Sequence, residues 1–308
     1  MRALGAPHRR RGTSLVELLI ALTLFGVIGL ATLRALDQQA RFHGGMLAVL
    51  EARSQHASAH EVVAVELRSV SSAASDINRL SDSAIVFRLP VGAGVACAVI
   101  PGAIVLAPDT VAAGQAFASF RTTPQQGDTV WIFDEGTTDA PVDDAWIPLP
   151  VVATARATGL CAGSPMVDPV LDATRPSWRL SVSGSPPATV TAGAAVRLTR
   201  MSRFALYRGG TGDHWLGFSE IAPATGAWVV IQPVSGPYLP FNPGSPAASG
   251  VALTAWDSSG ITTGTPALTA ALTLSTRTRT SRAVRINGLA RGLQPDSLHS
   301  LISLRNSR

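Results

Sequence analysis

The chain has no lysine. All 25 of its basic residues are arginine, and Asp, Glu, Lys and Arg together make only 15% of its 308 residues, against roughly a quarter in ordinary soluble domains. Catalytic and metal-binding signatures are equally scarce. There are two cysteines and six histidines. No C-x-x-C and no Cys/His pairing with zinc spacing occurs, which excludes the readable zinc folds and the thioredoxin motif. H-E-x-x-H, G-x-S-x-G and the Walker A loop are missing. Asp213-His214 has no nucleophile at a recognisable spacing. His56 and His60, four apart, would share one helix face, but no third metal ligand is suggested, so an exposed polar face is expected. The acidic stretch Asp134, Glu135, Asp139, Asp143 and Asp144 matches no EF-hand spacing and reads as a solvated loop. The expectation is a non-enzyme with no cofactor and no metal.

A calculated isoelectric point near 10.4 suggests nucleic acid at first sight, and the distribution of charge argues against it. Arg2, Arg9, Arg10 and Arg11 lie in the first twelve residues, and without them the formal charge falls from +5 to +1. That is no footprint for a polyanion. A weaker stripe, Arg277, Arg279, Arg282, Arg285 and Arg291, begins in alternation with threonine and reads as the solvated face of a strand. No nucleic-acid partner is expected.

What the sequence does have is one long apolar run. Residues 1–12 are basic and end in Gly12; Thr13 to Leu33 is then nearly pure Leu, Ala, Ile and Val without proline, and its one charge is Glu17. Twenty-one helical residues span roughly 31 Å, about one hydrocarbon thickness. The run is too long for the core of a secretory signal peptide, and Leu33-Arg34-Ala35-Leu36 is a poor cleavage site. Arginines on the N-terminal side favour a cytoplasmic N-terminus, with everything after about Leu36 outside the cytoplasm. A plain anchor leaves Glu17 unexplained, since a carboxylate within a membrane helix costs up to ~3 kcal/mol at the centre.

The segment Arg11-Gly12-Thr13-Ser14-Leu15-Val16-Glu17-Leu18-Leu19-Ile20-Ala21-Leu22 closely resembles the prepilin signal of type IV pilins and type II secretion pseudopilins. The resemblance implies cleavage by prepilin peptidase between Gly12 and Thr13, N-methylation of Thr13, and use of Glu17, then the fifth residue, in filament assembly. Thr13 stands where major pilins usually have Phe. Gly26 and Gly29 lower helix propensity within the run, which is ordinary for membrane helices. Two distant cysteines in an exported domain, Cys97 and Cys161, read as one disulfide.

Beyond the run, Asp37 to about Asp76 is Ala-rich, with apolar positions at helical spacing: Leu47 and Leu50, then Val63, Leu67 and Val70. This reads as an amphipathic continuation of the helix, weakest at Gly44-Gly45. After Asp76 come short β-rich runs between Gly/Pro turns: Ala84–Leu89, Val95–Ile100, Thr129–Phe133, Trp178–Val182, Ala195–Thr199, Arg203–Tyr207, Trp215–Phe218, Ala227–Gln232, Val251–Trp256 and Ala270–Thr276. Arg203–Tyr207 and Trp215–Phe218 read as a hairpin, and 159–176 and 236–250 as long loops.

The expected fold is α+β: a long N-terminal helix, its first half spanning a membrane and its second half amphipathic, packed on an antiparallel β-sheet domain. The expected divisions are a cleaved leader (1–12), a membrane and filament-core helix (13–36), an amphipathic stem (37–76) and an extracytoplasmic β-rich domain (77–308). This plan is similar to the larger minor pseudopilins, of the J or W type. Glu66-Leu67-Arg68, a Cys after the first strand region, and Leu304-Arg305-Asn306 after Asp296-Ser297 add to that likeness. It implies an inner-membrane, single-pass subunit with prepilin peptidase and other pilins as partners, built into a pilus or pseudopilus. The alternative is a single-pass anchored extracytoplasmic enzyme or binding protein.

Overall fold

The computed structural model describes residues 14–138, 141–222, 225–284 and 292–305. The leader, Gly12 and Thr13, with Asp139, Arg285, Arg291 and Asn306, lie outside the described residues. The chain divides into two units, Met1–Ala52 with Thr280–Gln294, and Arg53–Arg279 with Pro295–Arg308.

Helix α1 runs from Leu15 to Leu67 and contributes to both. Its start is set by Ser14, whose hydroxyl accepts the Val16 amide at 3.3 Å while its carbonyl accepts that of Leu18. From Leu15 to Leu36 every large apolar side chain is at least half exposed, and the segment is long and apolar enough to cross a membrane. The exposed Asp37–Arg41 ion pair, at 2.7 Å, follows the apolar stretch one turn after Leu33. The helix does not break at Gly44-Gly45. A Cβ at Gly45 would sit 3.2 Å from Val284 Cγ1, and the Ser281 hydroxyl donates to Glu51. The glycine therefore permits a close approach within the first unit rather than weakening the helix.

The second unit holds the sheet domain. Its strands are β1 (Ile77–Ser81), β2 (Ala84–Ile100), β3 (Ala103–Leu106), β4 (Ala118–Phe120), β5 (Thr129–Asp134), β6 (Ala145–Ala157), β7 (Ser177–Val182), β8 (Ala195–Arg208), β9 (His214–Glu220), β10 (Gln232–Tyr238), β11 (Val251–Trp256), β12 (Ala271–Arg279) and β13 (Pro295–Ser303). All pairings between these strands are antiparallel. The α+β class follows directly.

Two long strands organise this unit. The first half of β2 and the second half of β8 belong to an open sheet ordered β1-β2-β8-β9-β10. Their other halves close a ring, β2-β3-β7-β6-β5-β8 and back to β2, which makes a six-stranded barrel. Val91, Ile104, Leu106, Val130, Ile132, Leu180 and Leu198 fill the barrel core, and closure leaves those strands with few free edges. A separate small sheet runs β11-β12-β13.

The open sheet and the small sheet share a second core with the end of α1. Ala59, Val63 and Leu67 pack there with Val70, Phe87, Phe204, Leu272, Leu274 and Ile302. Upstream, the expected stripe is wrong. Leu47 and Leu50 are exposed, and Ala48 and Ala52 are the buried residues. The helix also stops at Leu67 rather than continuing to Asp76. The Asp76 carboxylate accepts the Ser71 amide at 2.9 Å, and Asp76 N–H donates to the Ser71 carbonyl. This Ser/Asp turn competes with helix in the usual way for those residues.

Other sequence-based elements shift as well. Ala84–Leu89 and Val95–Ile100 are one strand, running through Pro90, Gly92 and Gly94. Arg203–Tyr207 and Ala195–Thr199 are likewise one strand, β8. Ala227–Gln232 is not a strand, and its place is taken by β10, which overlaps the expected loop 236–250. β10 ends the open sheet, and prolines such as Pro233 and Pro237 are accepted in an edge strand.

Candidate functional site

The apolar stretch of α1 is the part of the molecule on which the functional reading rests. Glu17 lies in its first turn and is exposed. No ion pair among the described residues involves it. The next ionisable residue along the helix is Arg34, roughly 26 Å away at helical rise. A lone carboxylate thus sits at the start of an apolar rod, two positions after the first residue of α1. Ser14, Leu15 and Val16 continue the signal pattern into the helix, while the expected cleavage residues Gly12 and Thr13 are outside the described residues.

Cys97 on β2 and Cys161 are joined in a disulfide. Around it Val105, Ala107, Val111 and Val167 form a small satellite cluster. The bond ties the loop after β6 to the barrel, and the Asp172 carboxylate fixes that loop further by accepting the amides of Ala112 at 2.6 Å and Asp168 at 2.9 Å.

The other residues singled out in the sequence lie in turns and loops, in strands or at the end of α1. Asp143 accepts the amides of Thr137 and Thr138, and Asp134 accepts the Gly136 amide and the Thr189 hydroxyl. The Thr138 hydroxyl, and after it the amides of Thr137 and Thr138, hold the Asp143 carboxyl below its ordinary range. Asp213 accepts the Thr211 hydroxyl, and His214 begins β9. Arg277 and Arg279 lie on β12. Glu66 pairs with both terminal nitrogens of Arg121, Leu67 is fully buried, and Leu304 is buried.

His56 and His60 depart most from expectation. They are not on an exposed face: both are buried. His56 Nδ1 lies 2.7 Å from Thr276 Oγ1 and His60 Nε2 2.9 Å from the same oxygen, while His60 Nδ1 bonds Ser300 Oγ. Burial, with His56 and His299 nearby, lowers the His60 ring to about 4. Among the described residues no three His, Cys, Asp or Glu side chains gather as a metal site. Sequence spacing placed the two rings on one face; it could not reveal the hydroxyls, which lie more than 200 residues away.

Residues 7–33 match the family described as the prokaryotic N-terminal methylation motif. No curated protein and no solved structure matches the chain. The N-terminus therefore carries the type IV pilin and pseudopilin signal ahead of an apolar helix, and the match ends at Leu33, before the sheet domain begins.

Proposed function

We propose that the chain is a minor subunit, of the J or W pseudopilin kind, of a type IV pilus or type II secretion pseudopilus. Prepilin peptidase cuts between Gly12 and Thr13 on the cytoplasmic face of the inner membrane. The mature helix then moves from the bilayer into a filament, with the β-rich domain on the extracytoplasmic side. The observation that carries this reading is the exposed apolar rod of α1, matched by the methylation motif and bearing Glu17 alone.

The physics of the proposed step is simple. Cleavage gives Thr13 a free α-amine at about the depth of Glu17. In a low-dielectric bundle either charge is costly alone, so the carboxylate of one subunit meets the amine of its neighbour and the pair fixes axial register. The exposed Phe42, Met46, Leu47 and Leu50 offer further apolar surface to neighbouring helices. The part played is structural, with no reaction catalysed.

Intact-mass measurement of membrane-extracted protein tests the first step. The expected mass is that of a chain starting at Thr13, alone or with one methyl group. Retention of Met1 in a host with an active prepilin peptidase would contradict the reading.

A further inference from the structure

The end of α1 rests on its sheets in two different ways. One set of contacts is apolar, through Ala59, Val63 and Leu67. Polar groups hold Gln55, His56 and His60 instead. The Gln55 carbonyl accepts the hydroxyls of Ser235 and Tyr238, and His56 and His60 meet at Thr276. Polar contacts that need one protonation state are a separable kind of attachment; apolar contacts are not.

Hydrogen-bond counting shows which state the cluster accepts. The Thr276 hydroxyl has one proton. It can donate to one ring and accept from the other, and His60 can then donate to or accept from Ser300. The nitrogens that face Thr276 and Ser300 are thereby served when both rings are neutral. Among the described residues His56 Nε2 has no partner within hydrogen-bond distance, although the Asp296 backbone acts on the ring. If both rings are protonated, two imidazolium groups aim N–H at the same oxygen and its own proton has no acceptor.

We propose that His56 and His60, joined through the Thr276 hydroxyl, form a proton-operated latch that holds Arg53–His60 of α1 on β12 and β13 when neutral and releases it when protonated.

The charged and titratable neighbours support that direction. On α1 itself Arg53 reaches Asp296 of β13 at 4.0 Å. Asp296 favours protonation of His56, against the larger effect of burial, and His56 is lowered in balance. β10 contributes Tyr238, whose ring centroid is 5.9 Å from that of His56 and whose hydroxyl is pushed up to about 12, so it stays neutral. β13 also contributes His299, bonded to Ser275 at 2.7 Å and, by strand alternation, on the opposite face. No carboxylate enters the balance at His60; both rings that do, His56 and His299, oppose its protonation. His60 is therefore the decisive ring.

The sign follows from linkage. A released ring has its ordinary value near 6.5, whereas docked His60 sits at about 4. As pH falls below about 6.5 the released state takes up protons first, so docking weakens steadily and levels off near pH 4.

Hydrogen–deuterium exchange of the full chain in detergent tests this. After correction for intrinsic rates, amides of 53–60 and 297–301 are expected to exchange about thirtyfold faster at pH 5 than at pH 7.5, while those of 130–132 and 196–198 in the barrel keep their protection. In His60→Gln the difference should shrink to about twofold or less. Unchanged protection in the wild type, a loss shared equally by the barrel, or the same pH response in His60→Gln would each overturn the latch. Should that variant fold poorly, proton NMR of the wild-type ring decides: His60 titrating near its ordinary value, with protection unaltered, contradicts the proposal.

Discussion

Arg200 shows at the scale of one residue what an all-arginine chain gains. Asp128 is completely buried, and Arg200 grips both of its oxygens, Nε to Oδ1 at 2.7 Å and Nη2 to Oδ2 at 3.1 Å, while also donating to the Thr123 carbonyl. A lysine ammonium cannot make that paired fork. Guanidinium planes also lie over Trp131 from Arg88 at 5.0 Å and over Trp228 from Arg203 at 4.5 Å. Arg200→Ala should cost about 3–5 kcal/mol, because Asp128 is left buried and unpaired. Arg200→Lys should fall in between, and adding Asp128→Ala to Arg200→Ala should recover part of the loss. Urea unfolding followed by tryptophan fluorescence measures all three. The disulfide makes a second residue-scale prediction. Its bond spans a sequence separation of 64, for which the chain-entropy model sets a ceiling near ~4 kcal/mol. Replacing both cysteines by serine should lower stability by up to that amount. Alkylation of both thiols in the folded, non-reduced protein would contradict the bond.

At the scale of elements, legibility depended on whether the signal was local. The apolar run announced α1, and the β-branched runs announced most of the barrel, because each carries its own periodicity. The sequence of β2 reads as two strands because Pro90, Gly92 and Gly94 look like turn residues. In the structure a Cβ at Gly92 would lie 2.4 Å from Phe120 Cδ1 and 2.6 Å from the Ser119 carbonyl. The glycine is there so that β4 can approach, which no single-strand pattern reveals. β13 carries no strand signal of its own, because Ile302 is its one buried residue while Leu298 and Leu301 are exposed; its partner β12 supplies the context. Likewise the closure of the barrel depends on β3 meeting β7, far apart in the chain. Glu17 was legible for the opposite reason: its signal is a linear pattern that needs no fold. Gly92→Ala should cost about 1–3 kcal/mol by displacing β4. Gly26→Ala, in open space, should leave the domain untouched and gain up to ~1 kcal/mol of helix propensity. Thermal unfolding of the two variants side by side distinguishes these outcomes.

At the scale of the whole molecule, the sheet domain has its own cores, and the exposed apolar residues Leu15–Leu36 take no part in them. A shortened chain beginning at Gly45 should therefore be soluble and folded, as seen by a single gel-filtration peak and a near-ultraviolet circular dichroism spectrum. It should also lack hydrolase activity on generic substrates. Aggregation of every such chain would argue that the stem and sheets do not stand alone. The filament account itself turns on one side chain. A carboxylate that is only tolerated in the membrane can become apolar with easier insertion and no other effect. A carboxylate that meets a neighbour's α-amine cannot. Under the proposed role, a subunit at the very tip has no neighbour ahead to supply that amine, so a subunit that uses Glu17 is expected within or just below the tip. The direct measurement is recovery of the protein with sheared filaments or partner subunits, wild type against Glu17→Val. Expression, insertion and cleavage after Gly12 should be equal, and recovery of the variant should fall. Equal recovery of both would contradict the assembly role of Glu17.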